Sequence, residues 1–204
     1  MATSRGAKAS PIPPDRMALT IPEICVLFER KGGRAYDGEA VTQLEHALQT
    51  ATRAEAAGAA PALVSAALLH DLGHLLNDLG ETPTLRGVDD LHQYFALPFL
   101  RGVFDDDVLA PIAMHVEAKR YLCATRPGYY EALSVDSKRS LVLQGGVFSA
   151  MEAADFIGKP HAQDAINVRL WDDLAKIANE PTPPLEHFVP LLERAQCSNT
   201  PRTT

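Results

Sequence analysis

The sequence predicts an all-α fold in a single domain. Apolar residues recur at helical spacing through most of the chain, and no segment shows the two-residue alternation that is typical of a strand. The chain has 204 residues and is 46% hydrophobic, which is enough for one globular unit with a substantial buried core. We therefore expect one helical domain over 20–195, preceded by a flexible leader at 1–19 and followed by a flexible tail at 196–204.

The first two helices are predicted from their starting residues and from the glycines that follow them. Thr20 can cap a helix that has Pro22 in its first turn and ends before Gly32. A second apolar pattern runs over 39–57, and Gly58 ends it. In both segments the apolar residues share one face, so each helix is expected to pack one side against the core.

The third predicted helix, over 62–76, is apolar on nearly every side and is therefore expected near the centre of the fold. Glycine and proline predict a loop over 80–87, a long connection over 122–136 and a break over 181–184. Further helices follow from the same apolar spacing. They cover 88–101, 106–119, 145–157, 162–178 and 185–195.

The charge and the cysteine content exclude several classes of function. With 19 Lys and Arg against 26 Asp and Glu, the net charge is −7 and no basic stripe is present, so neither a nucleic acid nor a membrane is an expected partner. The first residues lack the apolar stretch of a secretory signal. Cys25, Cys123 and Cys197 lie too far apart in sequence to indicate a thiolate metal site, and we expect a cytoplasmic location.

The strongest local signal for chemistry is the pair His70 and Asp71 in the string LLHDLGH. Both residues interrupt an otherwise apolar helix. Burying an imidazole and a carboxylate is costly unless the two are paired or bind a metal. On its own, the pair favours the alternative, a His–Asp hydrogen bond with a structural role.

Other histidines favour a metal site. His46, His92 and His115 each lie in a different predicted helix, and Asp172 lies in the string RLWDDLAK. Together with His70 and Asp71 they provide enough imidazoles and carboxylates for two metal ions. A ligand set without thiolate suits iron, manganese or zinc. Asp71 has two oxygens to offer and is the natural bridge between the ions.

This pattern of six residues resembles the ligand pattern of binuclear HD-domain proteins, over about 20–195. HD-domain proteins are an all-α superfamily of metal-dependent phosphohydrolases that includes a small branch of diiron oxygenases. The resemblance implies a helical bundle around a central binuclear metal site. In this reading His46, His70, Asp71, His92, His115 and Asp172 are the metal ligands.

Tyr36 and Glu39, which precede His46, are similar to residues of the phosphonate-cleaving oxygenases in that branch. There, the tyrosine caps an iron until substrate arrives and the glutamate recognises the amino end of the substrate. Asp37 is expected to assist Glu39. The alternative is a loop tyrosine followed by an acidic residue at a helix start, where the helix dipole favours it.

Several donors lie one helical turn from a predicted ligand. His74 follows His70, Lys119 follows His115, and Arg169 precedes Asp172, each at a spacing that puts the pair on one helix face. In the resembling oxygenases the matching positions bind the phosphonate, together with hydroxyl groups that correspond to Ser137 and Ser140.

The resemblance implies an enzyme with two iron ions, Fe(II) and Fe(III), that uses O2 to cleave a carbon–phosphorus bond. The expected substrates are small zwitterions: 2-amino-1-hydroxyethylphosphonate, which would give phosphate and glycine, or 1-hydroxy-2-(trimethylammonio)ethylphosphonate, which would give phosphate and glycine betaine. No obligate protein partner is indicated. The rival hypotheses are a phosphohydrolase acting on a nucleotide or another phosphomonoester, and a metal-binding module without catalytic activity.

Overall fold

The computed structural model describes residues 18–36, 38–77, 79 and 83–197, and the predicted all-α fold is confirmed. Within these residues, β-type pairing is limited to isolated bridges. One short 3-10 helix, Pro83–Arg86, lies in the predicted loop. The α-helices are α1 Ile21–Lys31, α2 Gln43–Ala56, α3 Pro61–Leu69, α4 Leu72–Leu76, α5 His92–Phe95, α6 Leu97–Leu100, α7 Asp106–Thr125, α8 Tyr129–Ala132, α9 Val135–Leu143, α10 Ala150–Ile157, α11 Ala162–Leu174 and α12 Leu185–Ala195.

Capping boxes define the starts of α1 and α2. Thr20 caps α1 as predicted, and its side chain and that of Glu23 satisfy each other's backbone N–H groups. The second helix begins later than the predicted residue 39, because Thr42 forms the same type of box with Glu45. Glu39 therefore lies in the loop before α2 rather than on the helix.

The helix predicted over 62–76 is central but not continuous. Leu68 and Leu69 are almost fully buried in the main core, and α3 packs against α2, α7, α11 and α12. The helix breaks at His70 and Asp71, where Asp71 takes φ −103° and ψ 11°. Consecutive side chains of an unbroken helix diverge by about 100°, so this break is what lets the two neighbours face one site.

Other segments also differ from the prediction: the helix expected over 145–157 begins at Ala150, and the one expected over 162–178 ends at Leu174. The helix expected over 88–101 begins only at His92, after the left-handed Leu91, and divides into α5 and α6 at Ala96. The connection expected over 122–136 is largely helical, because α7 continues to Thr125 and α8 follows. Helix α9 begins at Val135, near the end of this segment, and the apolar pattern does not predict it.

A close approach of α4 to α5 holds the start of α5 in place. A Cβ atom on Gly73 would lie 2.1 Å from the carbonyl oxygen of His92, so only glycine fits between the two backbones. This contact brings His92 beside the break at His70 and Asp71.

The second core cluster lies where the C-terminal half of α7 meets α8, α9, α10 and α11. The first turn of α2, the start of α5 and the middle of α7 all lie beside the break between α3 and α4. None of the helices in the described part of the chain is long and apolar enough to cross a membrane. The predicted leader and tail fall mostly on residues outside the described ranges, and the domain limits stay a prediction.

Candidate metal centre

Six buried side chains meet at the centre of the bundle in two groups, each with its potential ligand atoms within 4.8 Å of one another. We call them the first and the second metal group. They contain all the ligands predicted from the sequence. The first metal group is His46, His70 and Asp172, and the second is Asp71, His92 and His115.

Asp71 lies between the two groups. Its Oδ2 atom is 3.3 Å from Nε2 of His70 and 3.5 Å from Nε2 of His46. Its Oδ1 atom is 3.3 Å from Nε2 of His92 and 3.5 Å from Nε2 of His115. One carboxylate thus turns one oxygen toward each group, which is the geometry of a bridging ligand.

The imidazoles are oriented with Nε2 toward the centre, because each Nδ1 faces an acceptor on the outside. Three of the acceptors are backbone carbonyls, which can only accept, so these Nδ1 atoms carry the proton and Nε2 presents a lone pair. The partners are Ala175 O for His46 at 2.8 Å, Ala67 O for His70 at 2.8 Å and Ile112 O for His115 at 2.7 Å.

These lone pairs face each other at short range. Nε2 of His46 is 3.2 Å from Nε2 of His70, and Nε2 of His92 is 3.0 Å from Nε2 of His115. Burial, and then the nearby imidazoles of His92 and His70, hold the pKa of His115 well below its ordinary value, so this ring is neutral. Two lone pairs pointing at one another in a buried space repel unless a proton or a metal ion lies between them.

Asp172 adds to this argument, since its buried Oδ1 atom has no hydrogen-bond partner among the described residues. A buried carboxylate oxygen without a partner is costly. The donor set of imidazole nitrogen and carboxylate oxygen therefore fits a pair of metal ions, one in each group, of the kind that iron, manganese and zinc form.

Tyr36 lies on the first metal group. Its ring stacks on that of His46 with 4.0 Å between centroids, and its hydroxyl donates to Oδ2 of Asp71 at 2.8 Å. Burial, followed by the charges of Asp71 and Asp172, raises the pKa of the Tyr36 phenol well above its ordinary value. Without a metal ion the phenol thus keeps its proton and uses it to hold the bridging carboxylate.

A cavity of about 50 Å³ opens beside the two groups, and we call it the substrate pocket. Its lining includes the predicted substrate-binding residues that the structure describes, and Asp37 lies outside the described residues. Lys119 is 2% exposed and donates to Oγ of Ser140 at 2.8 Å. The lining residues predicted from the sequence are Tyr36, Glu39, His74, Lys119, Ser137, Ser140 and Arg169.

Arg169 is buried and faces both the pocket and the first metal group. Nη1 donates to Oδ2 of Asp172 at 2.7 Å, and the rest of the guanidinium pairs with Asp173 and the hydroxyl of Tyr129. Burial opposes the charge, yet Asp172 and Asp173 hold the pKa of Arg169 well above its ordinary value. Arg169 thus orients Asp172 and leaves its Oδ1 atom free to bind a metal.

The comparison with known proteins bears directly on this centre. A model of the HD domain matches residues 44–144, which contain five of the six residues of the metal groups. A [1-hydroxy-2-(trimethylamino)ethyl]phosphonate dioxygenase (glycine-betaine-forming) from Leisingera caerulea is 40% identical over 168 residues, which cover 82% of this chain and 86% of the relative.

The chain belongs to the HD-domain family. Two further relatives span most of it: a hydroxymethylphosphonate dioxygenase from Gimesia maris, 40% identical over 79% of this chain and 82% of the relative, and an uncharacterized protein of Acanthamoeba polyphaga mimivirus, 34% identical over 79% and 75%. The predicted place in the phosphonate-degrading oxygenase branch of this family is confirmed.

Two residues of this HD-domain centre are not among those predicted from the sequence. The first is Asp90, whose two oxygens accept from Nδ1 of His92 at 2.8 Å and from Nδ1 of His74 at 2.7 Å. Asp90 thereby orients a member of the second metal group and joins it to a pocket residue. Its position two residues before His92, in the string VDDLHQ, is the only trace of this role in the sequence.

The second is Lys176, which lines the substrate pocket. Its Nζ atom is 3.3 Å from Oγ of Ser137, 3.8 Å from Oε1 of Glu39 and 3.9 Å from Oδ1 of Asp172. The sequence contains a sign of this position in the pocket, because Lys176 follows Asp172 by four residues, as Lys119 follows His115.

Proposed function

We propose that the chain is a diiron oxygenase that uses O2 to cleave the carbon–phosphorus bond of a 1-hydroxyphosphonate. The observation that carries this proposal is the juxtaposition of two metal groups sharing Asp71 with a pocket lined by Lys119, in a chain 40% identical to two phosphonate dioxygenases.

Two iron ions, Fe(II) and Fe(III), are the proposed cofactors. The first metal group would hold one ion and the second the other, with Asp71 as the shared ligand. When bound, the iron pair supplies the electron-transfer steps with O2 that no side chain of the pocket can carry out. Arg169 and Asp90 keep Asp172 and His92 in the orientation that ligation needs.

The overall reaction balances with one O2 for each phosphate released. The carbon–phosphorus bond breaks, phosphorus gains an oxygen and leaves as phosphate, and the hydroxyl-bearing carbon is oxidised to a carboxylate. The residues of the pocket do not supply oxidising equivalents. They bind and orient the phosphonate so that the hydroxyl-bearing carbon faces the metal groups.

Lys119, Ser137 and Ser140 are the proposed phosphonate ligands. Lys119 and Ser140 are already joined by a hydrogen bond of 2.8 Å, so the ammonium and the hydroxyl are placed to bind neighbouring oxygens of one phosphonate. His74 also lines the cavity, and its Nδ1 atom is held by Oδ2 of Asp90 at 2.7 Å.

Tyr36 is proposed to cap the iron of the first metal group until substrate displaces it. This role is supported by the position of its hydroxyl at the Oδ2 atom of Asp71. A bound cation would favour the phenolate, against the burial that now disfavours it. Capping would protect reduced iron from O2 while the pocket contains no substrate.

Two substrates follow from the amine recognition proposed for Glu39 and Asp37: 2-amino-1-hydroxyethylphosphonate and 1-hydroxy-2-(trimethylammonio)ethylphosphonate. A third, hydroxymethylphosphonate, lacks the amine. All three have the hydroxyl and the phosphonate that the proposed chemistry needs, and they differ only at the end of the molecule that faces Glu39.

The experiment is to load the protein with iron and supply each 1-hydroxyphosphonate with and without O2. We expect phosphate release to require O2, with one O2 consumed for each phosphate. Asp71→Ala, which removes the shared ligand, should abolish both. Phosphate release that continues unchanged without O2 would contradict the proposal and point to a hydrolase in which the metals activate water.

A further inference from the structure

Lys176 occupies the part of the substrate pocket where an amine was expected. We infer that Lys176 neutralises Glu39 and makes the enzyme select 1-hydroxyphosphonates that carry no cationic substituent. This inference rests on the proposed function and specifies its substrate class.

Lys176 is held in the pocket by several contacts. Besides Glu39 at 3.8 Å, its Nζ atom has Oγ of Ser137 at 3.3 Å and Oδ1 of Asp172 at 3.9 Å. The ammonium also lies 5.9 Å from the centroid of the Tyr36 ring. Its side chain is 13% exposed, so the ammonium is enclosed by the site rather than pointing to solvent.

Glu39 is the one predicted amine ligand that the structure describes, and its carboxylate already faces this lysine. An ammonium that donates a hydrogen bond of about 3 Å to Oε1 of Glu39 would lie within about 7 Å of Nζ of Lys176, because that nitrogen is itself 3.8 Å from the same oxygen. Two cations would then share one carboxylate in a poorly solvated pocket, where charges are weakly screened.

Other charges of both signs line the pocket, but several of its carboxylates are already paired: Asp90 with His74 and His92, Asp136 with Arg139 and Asp172 with Arg169. Lys119 and Arg169 also line the pocket, and the proposed iron ions add their own charge. These positive charges attract a dianionic phosphonate, whereas they repel a positively charged group at the other end of the substrate. The neutral ion pair of Glu39 and Lys176 instead suits a hydrogen atom or an uncharged group on the hydroxyl-bearing carbon.

Sequence similarity does not choose between the two substrate types. The relative from Leisingera caerulea is named for a trimethylamino substrate and the relative from Gimesia maris for hydroxymethylphosphonate, and both are 40% identical to this chain. The contacts of Lys176 favour the second type.

The test is a binding experiment, so that it does not depend on turnover. The iron-loaded protein is titrated calorimetrically, without O2, with ethylphosphonate and with 2-aminoethylphosphonate, which differ by one ammonium group. We expect the wild type to bind 2-aminoethylphosphonate at least about tenfold more weakly. Lys176→Met should close or reverse this difference, and Lys176→Arg, which keeps the charge, should retain it.

Lys159→Met is the matched control, because Lys159 is exposed, pairs with Glu117 and lies outside the pocket lining. This variant should leave the ratio of the two affinities unchanged. The inference is overturned if the wild type binds 2-aminoethylphosphonate as tightly as ethylphosphonate. It is also overturned if Lys176→Met weakens both ligands equally, because Lys176 would then be a phosphonate ligand.

The proposed function fails in a different way. If the binding ratios are as expected but no 1-hydroxyphosphonate releases phosphate in the presence of O2, the selectivity of the pocket stands and the oxygenase reaction does not. If neither ethylphosphonate nor 2-aminoethylphosphonate binds, the inference is overturned, whereas the proposed function is decided by phosphate release from the 1-hydroxyphosphonates.

Discussion

Asp90 holds two imidazoles beside the metal groups, and its replacement tests whether the centre depends on this carboxylate. Its Oδ1 atom accepts from Nδ1 of His92 at 2.8 Å, and its Oδ2 atom accepts from Nδ1 of His74 at 2.7 Å. Although burial alone would raise the pKa of Asp90, the hydrogen bonds from His74 and His92 hold it well below the ordinary value. The carboxylate is thus ionised and accepts both protons at once.

In Asp90→Asn one of the two acceptor oxygens becomes an NH2 group. If the amide nitrogen faces His92, the ring must move its proton to Nε2 and lose the lone pair that would bind metal. If the amide oxygen faces His92, the hydrogen bond survives but loses its charge. Loss of such an outer carboxylate lowers metal affinity by about 10–100-fold, or about 1.4–2.8 kcal/mol at 1.4 kcal/mol per factor of ten.

The assay is the iron content per chain during titration with a competing chelator, followed by metal analysis of the protein. The second metal group should release its ion at a lower chelator concentration than in the wild type, while the first group changes little. Asp164→Asn is the control, because it alters a His161–Asp164 pair of 3.2 Å at the surface. Equal iron retention by Asp90→Asn and the wild type would refute the reasoning.

Three other predictions follow from particular contacts. Gly73→Ala places a Cβ atom 2.1 Å from His92 O and should lower the free energy of unfolding by about 1–3 kcal/mol, measured as a lower Tm and a lower iron content. Gly158→Ala is the control and should change neither, because its Cβ atom would meet nothing closer than 3.6 Å. Tyr36→Phe should speed oxidation of the reduced protein without substrate, by about tenfold if the cap contributes about 1–1.5 kcal/mol, and an unchanged rate in stopped-flow absorbance would count against the cap. Burial and then Arg169 lower the pKa of Lys119 to about 7, so its ammonium is present below that pH and lost above it. The affinity of the wild type for methylphosphonate, divided by that of Lys119→Arg, should therefore fall with rising pH, by up to about tenfold per pH unit. The ionisation of methylphosphonate itself cancels in this ratio, so a ratio that stays constant with pH would contradict the prediction.

The fold class and the convergence of the six predicted ligands were within reach of the sequence. Polar residues in otherwise apolar helices are informative, because burial makes them costly unless they meet a partner. His46, His92 and His115 each interrupt a different helix in this way, and His70 and Asp71 do so together. Helices that pack around one core bring such interruptions to the same place.

The break at His70 and Asp71 was beyond sequence reasoning. The segment 62–76 has the apolar pattern of one helix, and neither glycine nor proline marks the break. Its cause is tertiary: an unbroken helix would turn Asp71 away from His70, whereas the observed geometry places the two side chains 3.3 Å apart.

Helix α9 was missed for a local reason. Val135 and Val142 are 75% and 73% exposed, so the apolar residues of this helix do not share one buried face. Its start depends on Ser134, whose side chain accepts from the backbone N–H of Ser137. A cap without an amphipathic pattern behind it reads as part of a loop.

The role of Lys176 depends on a contact between distant parts of the chain, because Lys176 lies beside Glu39. The HD match at residues 44–144 contains five of the six metal-group residues. Lys176 lies beyond that match and contacts Glu39, which precedes it. Lys176 and Glu39, which are proposed to meet the substituent of the substrate, thus both lie outside the matched region. In the proposed site, replacing Lys176 would change the charge offered to the substituent of the substrate without removing a residue of either metal group.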